Sequence, residues 1–336
     1  VARDLTALPK VDLHVHLEGS IRAGTVVDLA ARHGVTLPEG LREGRYEFRD
    51  FRHFIDEWVA GLQCLRRPED FRRIAHEFCE DEAAEGARYA EVSFSLPEHG
   101  SRLGDWDGPL LAVLEGFEDG ERDFGIRCRP YIDVVRGLPI ELSRMAMEAA
   151  VRHRADGVIG IGLGGEERFP PEDYSEIFGR ARANGLHALA HAGETAGPAS
   201  IRGALDSLGA ERIGHGIRCL EDPALVDELR GRAVPLEVCP TSNVKTRVVG
   251  SIGEHPLRRL IDAGLTVTLN SDDPSMFSSH LVGEYELARD VFGLSDQALA
   301  ELARTGVRSS FADEGAKASM EVAIDDWLEG EGASRE

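Results

Sequence analysis

The chain has 336 residues, 42% hydrophobic and 29% charged, with a formal net charge of −22. That composition is ordinary for a soluble globular protein, and the length suits two ordinary domains or one large α/β barrel. A field of this sign repels phosphate backbones and anionic lipid, which disfavours nucleic acid and membrane surfaces and leaves small neutral or cationic molecules as partners.

No apolar run approaches the length that spans a bilayer, and no basic-then-apolar leader opens the chain, so a cytoplasmic location is expected. The five cysteines (Cys64, Cys79, Cys128, Cys219, Cys239) are scattered and lack CxxC spacing. They read as reduced thiols, not as a disulfide framework or a cysteine-type zinc site.

Short apolar strand patterns alternate with helical ones along the chain. The first predicted strand is 10–16, KVDLHVH. An insertion at about 21–66 follows. In it Phe51, Phe54, Ile55, Trp58, Leu62 and Leu65 fall on one face of a helix, placed where a lid would sit. Strands are then predicted at 88–95, 127–135, 157–163, 186–192, 211–215, 234–239 and 265–271. Helices are predicted at 69–86, 107–124, 139–153, 172–184, 197–207, 223–231 and 255–263. A second, helical insertion covers 278–328. Eight alternations predict a single α/β domain over 1–336, a (β/α)8 TIM barrel with helical insertions after strand 1 and strand 8. An open doubly wound sheet is the alternative, but no stretch reads as a Rossmann half.

Gly160, Gly162 and Gly165 match GxGxxG. A dinucleotide loop would open directly into a helix. Here the glycines lie partly inside a strand and are followed by Glu166, Glu167, Pro170 and Pro171, so the carboxylates would repel a pyrophosphate and the helix starts too late.

The chemistry gathers at predicted strand ends. His14 and His16 are two apart on strand 1, so they share a face and can hold one metal ion; alone they could equally be packed histidines. His191 ends strand 5, His215 ends strand 6, and Asp272 and Asp273 follow strand 8. Side chains at the C-terminal ends of barrel strands converge on one mouth. Three imidazoles and a carboxylate suit Zn²⁺, one per chain, with a position left for water. Glu194, three residues after His191, would stand beside the metal and shuttle a proton. His215 is a further ligand or a base that orients the water. Adjacent Asp272 and Asp273 point different ways, so one can bind metal while the other faces substrate. Barrel hydrolases with two metals bridge them with a carboxylated lysine after strand 4; only Lys10, Lys245 and Lys317 exist here, which predicts a mononuclear site. The Gly162–Gly165 run offers a bare amide to a flat ligand, or is simply a tight turn.

Taken together, PKVDLHVHLEGS, the Gly-rich strand-4 end, HAGE, IGHG, CPTSN and LNSDDP, in this order, resemble the adenosine deaminase family of the amidohydrolase superfamily, from Pro9 to about Asp290. The resemblance implies hydrolytic loss of the 6-amino group of a purine. It assigns His14, His16, His191 and Asp272 to zinc and Glu194 to protonation of purine N1 as hydroxide attacks C6. It gives His215 the positioning and deprotonation of the water, Asp273 a hydrogen bond to N7, and the Gly165 N–H a contact to N3. The cytidine-deaminase signature, HxE with PCxxC, is absent. The chain departs from adenosine deaminases where Glu18 replaces their Asp at the ribose 5′ end. That leaves adenosine or a similar nucleoside as the expected substrate, with adenine and 6-aminodeoxyfutalosine as alternatives and an inactive purine-binding homologue as a distant one. Glu18, Phe51, Phe54 and Trp58 are expected to line the substrate. The pattern does not specify an oligomeric state.

Overall fold

The computed structural model describes residues 2–44, 48–49 and 51–330, the side chain of Phe51 apart. Eight strands run β1 Lys10–His16, β2 Ala87–Phe94, β3 Arg127–Val135, β4 Gly160–Gly164, β5 His187–Ala192, β6 Arg212–His215, β7 Leu236–Val238 and β8 Val267–Leu269. They pair in parallel in sequence order. Val15 of β1 bridges to Asp272 beyond β8, through His16 N–H to the Asp272 carbonyl (2.8 Å) and Asp272 N–H to the His14 carbonyl (2.9 Å). The ring is thereby brought round into a (β/α)8 barrel.

The alternation on β1 explains its placement. Val11, Leu13 and Val15 are buried in the apolar layer, while Asp12 and His14 are buried polar groups of the interior and His16 looks into the mouth. Each fully buried Leu or Val contributes on the order of 1.5–3 kcal/mol. That apolar layer is what makes the polar interior affordable. A one-residue slip would exchange the two sets, so burial fixes the register of the histidines.

Most return helices lie where the periodicity predicts them, among them Pro68–Ala84, Gly108–Phe124, Ile140–Arg152 and Pro223–Arg232. The last is set by Asp222, whose carboxylate accepts the N–H groups of Ala224 (3.0 Å) and Leu225 (3.3 Å), with Pro223 opening the first turn. The first insertion holds helices Ala23–His33, Glu39–Glu43 and Phe51–Leu62; the second holds Leu281–Asp290, Asp296–Ser309 and Glu314–Glu329.

Several bounds differ from expectation. β8 is only three residues long: the Asn270 N–H still bonds the Val238 carbonyl (3.0 Å), but the Asn270 amide oxygen turns onto the Leu13 N–H (3.0 Å) and Ser271 donates its N–H (3.1 Å) and hydroxyl (2.5 Å) to Asp12, so the chain passes over to β1. Among the helices not predicted are two that directly follow strands, Leu96–Leu103 after β2 and Pro240–Lys245 after β7. Both are short, open on proline and carry polar residues of the mouth. Beyond Gly165 no helix opens until the 3-10 turn Pro171–Tyr174, which leads into helix Ser175–Ala183. All five cysteines are free and buried. Among the described residues no helix is long and apolar enough to cross a membrane.

Candidate active site

The C-terminal ends of the strands surround a cavity of about 340 Å³. At its floor, ligand atoms of His14, His16, His191 and Asp272 lie within 4.8 Å of one another. His16 Nε2 is 3.2 Å from His191 Nε2 and 3.4 Å from Asp272 Oδ1, and His14 Nε2 is 3.7 Å from the same oxygen.

His14 is held for this purpose. Its Nδ1 lies 2.9 Å from Glu237 Oε2, and Glu237 is gripped by the buried Arg212 (2.6 Å), which also pairs with Glu91. The carboxylate accepts the Nδ1–H, which keeps that proton on Nδ1 and leaves a lone pair on Nε2, buried without a hydrogen-bond partner. Burial keeps the His14 and His191 imidazoles below their usual pKa, hence neutral, the form that ligates a metal. Burial also opposes charge on His16, but Asp273, Asp133 and Asp272 outweigh it and raise that group to about 10. A set of carboxylates this hungry for positive charge, with an orphaned nitrogen aimed at the same point, fits a divalent cation. An alternative grouping of His14, His215, Cys239 and Asp272 is poorer, because burial pushes the Cys239 thiol well up and disfavours the thiolate.

Two residues here carry left-handed backbone without being glycine: His215 (φ 60°) and Asp272 (φ 66°). Such conformations cost on the order of 1–3 kcal/mol each and persist where the surroundings dictate them. Here they accompany two side chains that line the mouth.

Glu194 and His215 are tied together by Asn243. The amide nitrogen of Asn243 is 3.3 Å from Glu194 Oε1 and 3.3 Å from His215 Nδ1, and its oxygen is 3.1 Å from His255 Nε2. A backbone N–H, that of Leu257, donates to His255 Nδ1 (3.1 Å). Burial lowers His255 to about 4, so it is neutral with its proton on Nε2. That proton goes to the Asn243 oxygen, the Asn243 NH₂ faces Glu194 and His215, and His215 Nδ1 accepts. The His215 proton therefore sits on Nε2, 3.7 Å from Glu194 Oε2 and 3.9 Å from Asp272 Oδ2. Burial raises the Glu194 carboxyl above its ordinary range, and Asn243 occupies Oε1, which leaves Oε2 to carry a proton toward the cavity.

The turn bearing Glu194 hangs on a buried carboxylate. Glu167 accepts the N–H groups of Gly193 (2.7 Å), Glu194 (2.8 Å), Thr195 (2.6 Å) and Ala196 (3.2 Å) and the Ser200 hydroxyl (2.6 Å).

Asp273 lines the cavity; burial and the adjacent Asp272 push its carboxyl well up. Gly165 lines it too and adopts φ 85°, which only glycine takes without strain. Phe54 and Trp58 line the cavity from helix Phe51–Leu62, and Phe54 packs against Phe277 (ring centroids 4.8 Å apart). The side chain of Phe51 lies outside the described residues. Glu18 is not among the lining residues: its Oε1 accepts the Ser95 N–H (2.9 Å) and lies 3.0 Å from His99 Nε2. The unpredicted helix Leu96–Leu103 supplies His99, which with the Ser95 N–H holds Glu18 Oε1. Glu237, Asn243 and Glu167 carry no motif signal of their own; Asn243 and Glu167 stand inside or beside motifs whose other residues drew the attention.

The family model for adenosine deaminase matches residues 9–327. An aminodeoxyfutalosine deaminase of Streptomyces coelicolor is 40% identical over 339 residues, covering 97% of this chain and 87% of its own. The solved structure of an adenine deaminase from Arthrobacter aurescens superposes with a TM-score of 0.91 at 35% identity, covering 96% of this chain and 99% of its own. A zinc-bound amidohydrolase from Burkholderia ambifaria superposes with a TM-score of 0.88 at 29% identity, covering 96% and 93%. This chain belongs to the adenosine deaminase family of the amidohydrolase superfamily and is a hydrolytic deaminase.

Proposed function

We propose that the protein removes the 6-amino group of a purine compound as ammonia, using one Zn²⁺ held by His14, His16, His191 and Asp272, and that its substrate is adenosine or a similar nucleoside. The observation that carries this reading is the pairing of that quartet with a buried acid, Glu194, whose one free oxygen faces the same cavity. Nitrogen and carboxylate donors suit zinc, and the zinc-bound relative supports it. When bound, the metal would acidify a water and so supply a nucleophile near neutral pH.

The residues do the rest. Asp273, its carboxyl raised, donates to N7, and the Gly165 N–H meets N3, so the ring is oriented with C6 toward the quartet. Glu194 Oε2 delivers its proton to N1, which makes C6 electrophilic. His215 Nε2–H holds the attacking water by donation. Asp272 Oδ2, 3.9 Å from His215 Nε2, takes the proton the water releases and returns it to the departing amino group. The hydroxyl proton of the adduct goes back to Glu194. The sum is one water consumed, one ammonia released and both acids restored. The hydrogen-bond chain that starts at the Leu257 N–H, with His215 Nδ1 accepting from Asn243, supports giving the proton to Asp272 in place of His215.

Phe54 and Trp58 would cover the ring as part of a lid. The curated and solved relatives named above act on aminodeoxyfutalosine and adenine by name, and both compounds are the alternative substrates here. The net charge and the reduced, buried thiols support a cytoplasmic enzyme with a small-molecule partner. The test is ammonia release from adenosine before chelation, after chelation and after return of Zn²⁺. Loss and recovery are expected. Activity indifferent to metal would remove the zinc from the account.

A further inference from the structure

One wall of the cavity carries oxygen atoms with nothing to bind. Asp133, on β3, is 3% exposed, and its Oδ1 is buried without a hydrogen-bond partner. Glu98, in the first turn of helix Leu96–Leu103, presents a buried Oε2 that is likewise unpartnered. Both line the cavity beside Ser95. Neither belongs to the quartet or to the proton-transfer set.

The fold keeps room for this wall. Asp133 pairs across the sheet with Gly162 of β4. A Cβ on Gly162 would fall 2.7 Å from the Tyr131 ring and 3.2 Å from Asp133 Oδ1. Part of the space left by the glycine-rich strand is therefore taken by Tyr131 and Asp133. Leaving polar oxygens buried and unpaired is costly, and a ligand that brings donors relieves the cost.

The position of the wall follows from the reading above, on which this inference rests. With C6 at the quartet, N1 at Glu194 and N7 at Asp273, the N9 substituent points away from the metal site. Glu98 stands in the first turn of the helix that follows Ser95, and the Ser95 N–H is held by Glu18 (2.9 Å). The residue after Glu18, Gly19, packs directly against the Asp273 carboxyl, so Glu98 stands on the Asp273 side of the cavity, the side of N7 and N9.

We infer that Glu98, with Asp133 beside it, is a specificity-determining residue that binds hydroxyl groups of a sugar on N9, so that this protein selects a 6-aminopurine nucleoside over the free base. Burial, then Asp133 and Glu18, push the Glu98 carboxyl up to about 8. A neutral carboxyl both donates and accepts, which suits a hydroxyl better than a cation.

The experiment compares kcat/KM for adenosine, adenine and 9-methyladenine in the zinc-loaded wild type, Glu98→Gln and Glu98→Leu, with zinc content and Tm recorded for each. The wild type should prefer adenosine. Glu98→Leu should lose about tenfold or more on adenosine, chiefly through KM, and stay within about threefold on adenine and 9-methyladenine. Glu98→Gln should keep most of the adenosine activity, because an amide still meets a hydroxyl. Zinc content and Tm should not move. Equal losses on all three substrates, or none, would overturn the inference. So would Gln failing as badly as Leu, which would mean charge recognition. A wild type that turns over adenine but not adenosine would overturn it while sparing the aminopurine reading. A wild type inactive on all three would bring down both.

Discussion

Replacing Glu167 tests whether the catalytic acid is held from behind. The side chain collects four backbone N–H groups and two hydroxyls at 2.6–3.3 Å, all from the segment 193–200 that carries Glu194. Hydrogen bonds to a charged acceptor are worth about 1.5–3 kcal/mol each, but they are not additive, and removing a buried charge returns part of its desolvation cost. The expected net loss in Glu167→Leu is about 3–5 kcal/mol, the scale for taking one partner from a buried charged network. The loss should depend on pH. Burial raises the Glu167 carboxyl, but Ser200, Arg136 and the backbone N–H groups outweigh it and bring it below the ordinary range. A depressed carboxylate contributes stability that is present above its unfolded pKa, about 4.3, and is lost as pH falls through the folded value. The gap in unfolding free energy between wild type and Glu167→Leu should therefore be full at pH 7 and shrink below about pH 4. Released from its anchor, Glu194 should drift, and a shift near 1 Å is enough to cost about 10² in kcat. Glu167→Gln should fall between, since its NH₂ would face N–H groups. Thermal unfolding and steady-state kinetics read both effects. A Glu167→Leu protein with unchanged Tm and kcat within about threefold would refute the reasoning.

Other expectations follow from the same geometry. Glu194→Gln should keep zinc and fold but lose at least about 10² in kcat, and an unchanged rate would sink Glu194 as the donor. Asp272→Ala should bind less than one zinc per chain by elemental analysis; full occupancy would rule out its role as a ligand. Glu237→Gln should weaken zinc binding about 10- to 100-fold by competition with a chelator, because His14 loses the carboxylate on Nδ1. If His215 serves as a donor, His215→Gln should retain clearly more activity than His215→Ala, and equal inactivity would return the base role to the histidine.

Much of this was legible in local spacing. The HxH pair on β1 declares itself by period two, and His191, Glu194 and His215 stand at strand ends that apolar runs mark out. Asp272 is legible beside β8 although the strand stops at Leu269, since the chain pairs with β1 at Asp272 itself, one residue before Asp273, the N-cap of the next helix. What stayed hidden depends on contacts between distant segments. Glu237 meets His14 across 223 positions and Asn243 meets Glu194 across 49. Glu167 reads as a charge that would repel phosphate, while its partners are the N–H groups of a turn beyond the next strand. Glu18 was expected at the substrate, but the proline-led helix Leu96–Leu103 is too short to show a period, and it brings His99 onto that carboxylate. Asp133 is one acid in an apolar strand, with no spacing to mark it.

The measurement that bears most directly on the whole account is kcat/KM for ammonia release by the zinc-loaded protein against adenosine, 2′-deoxyadenosine, adenine and 6-aminodeoxyfutalosine. Turnover of at least one, led by a nucleoside and dependent on Glu194, is expected. No ammonia from any of the four, with one metal bound per chain and Glu194 intact, would contradict the reading of this cavity as a 6-aminopurine site.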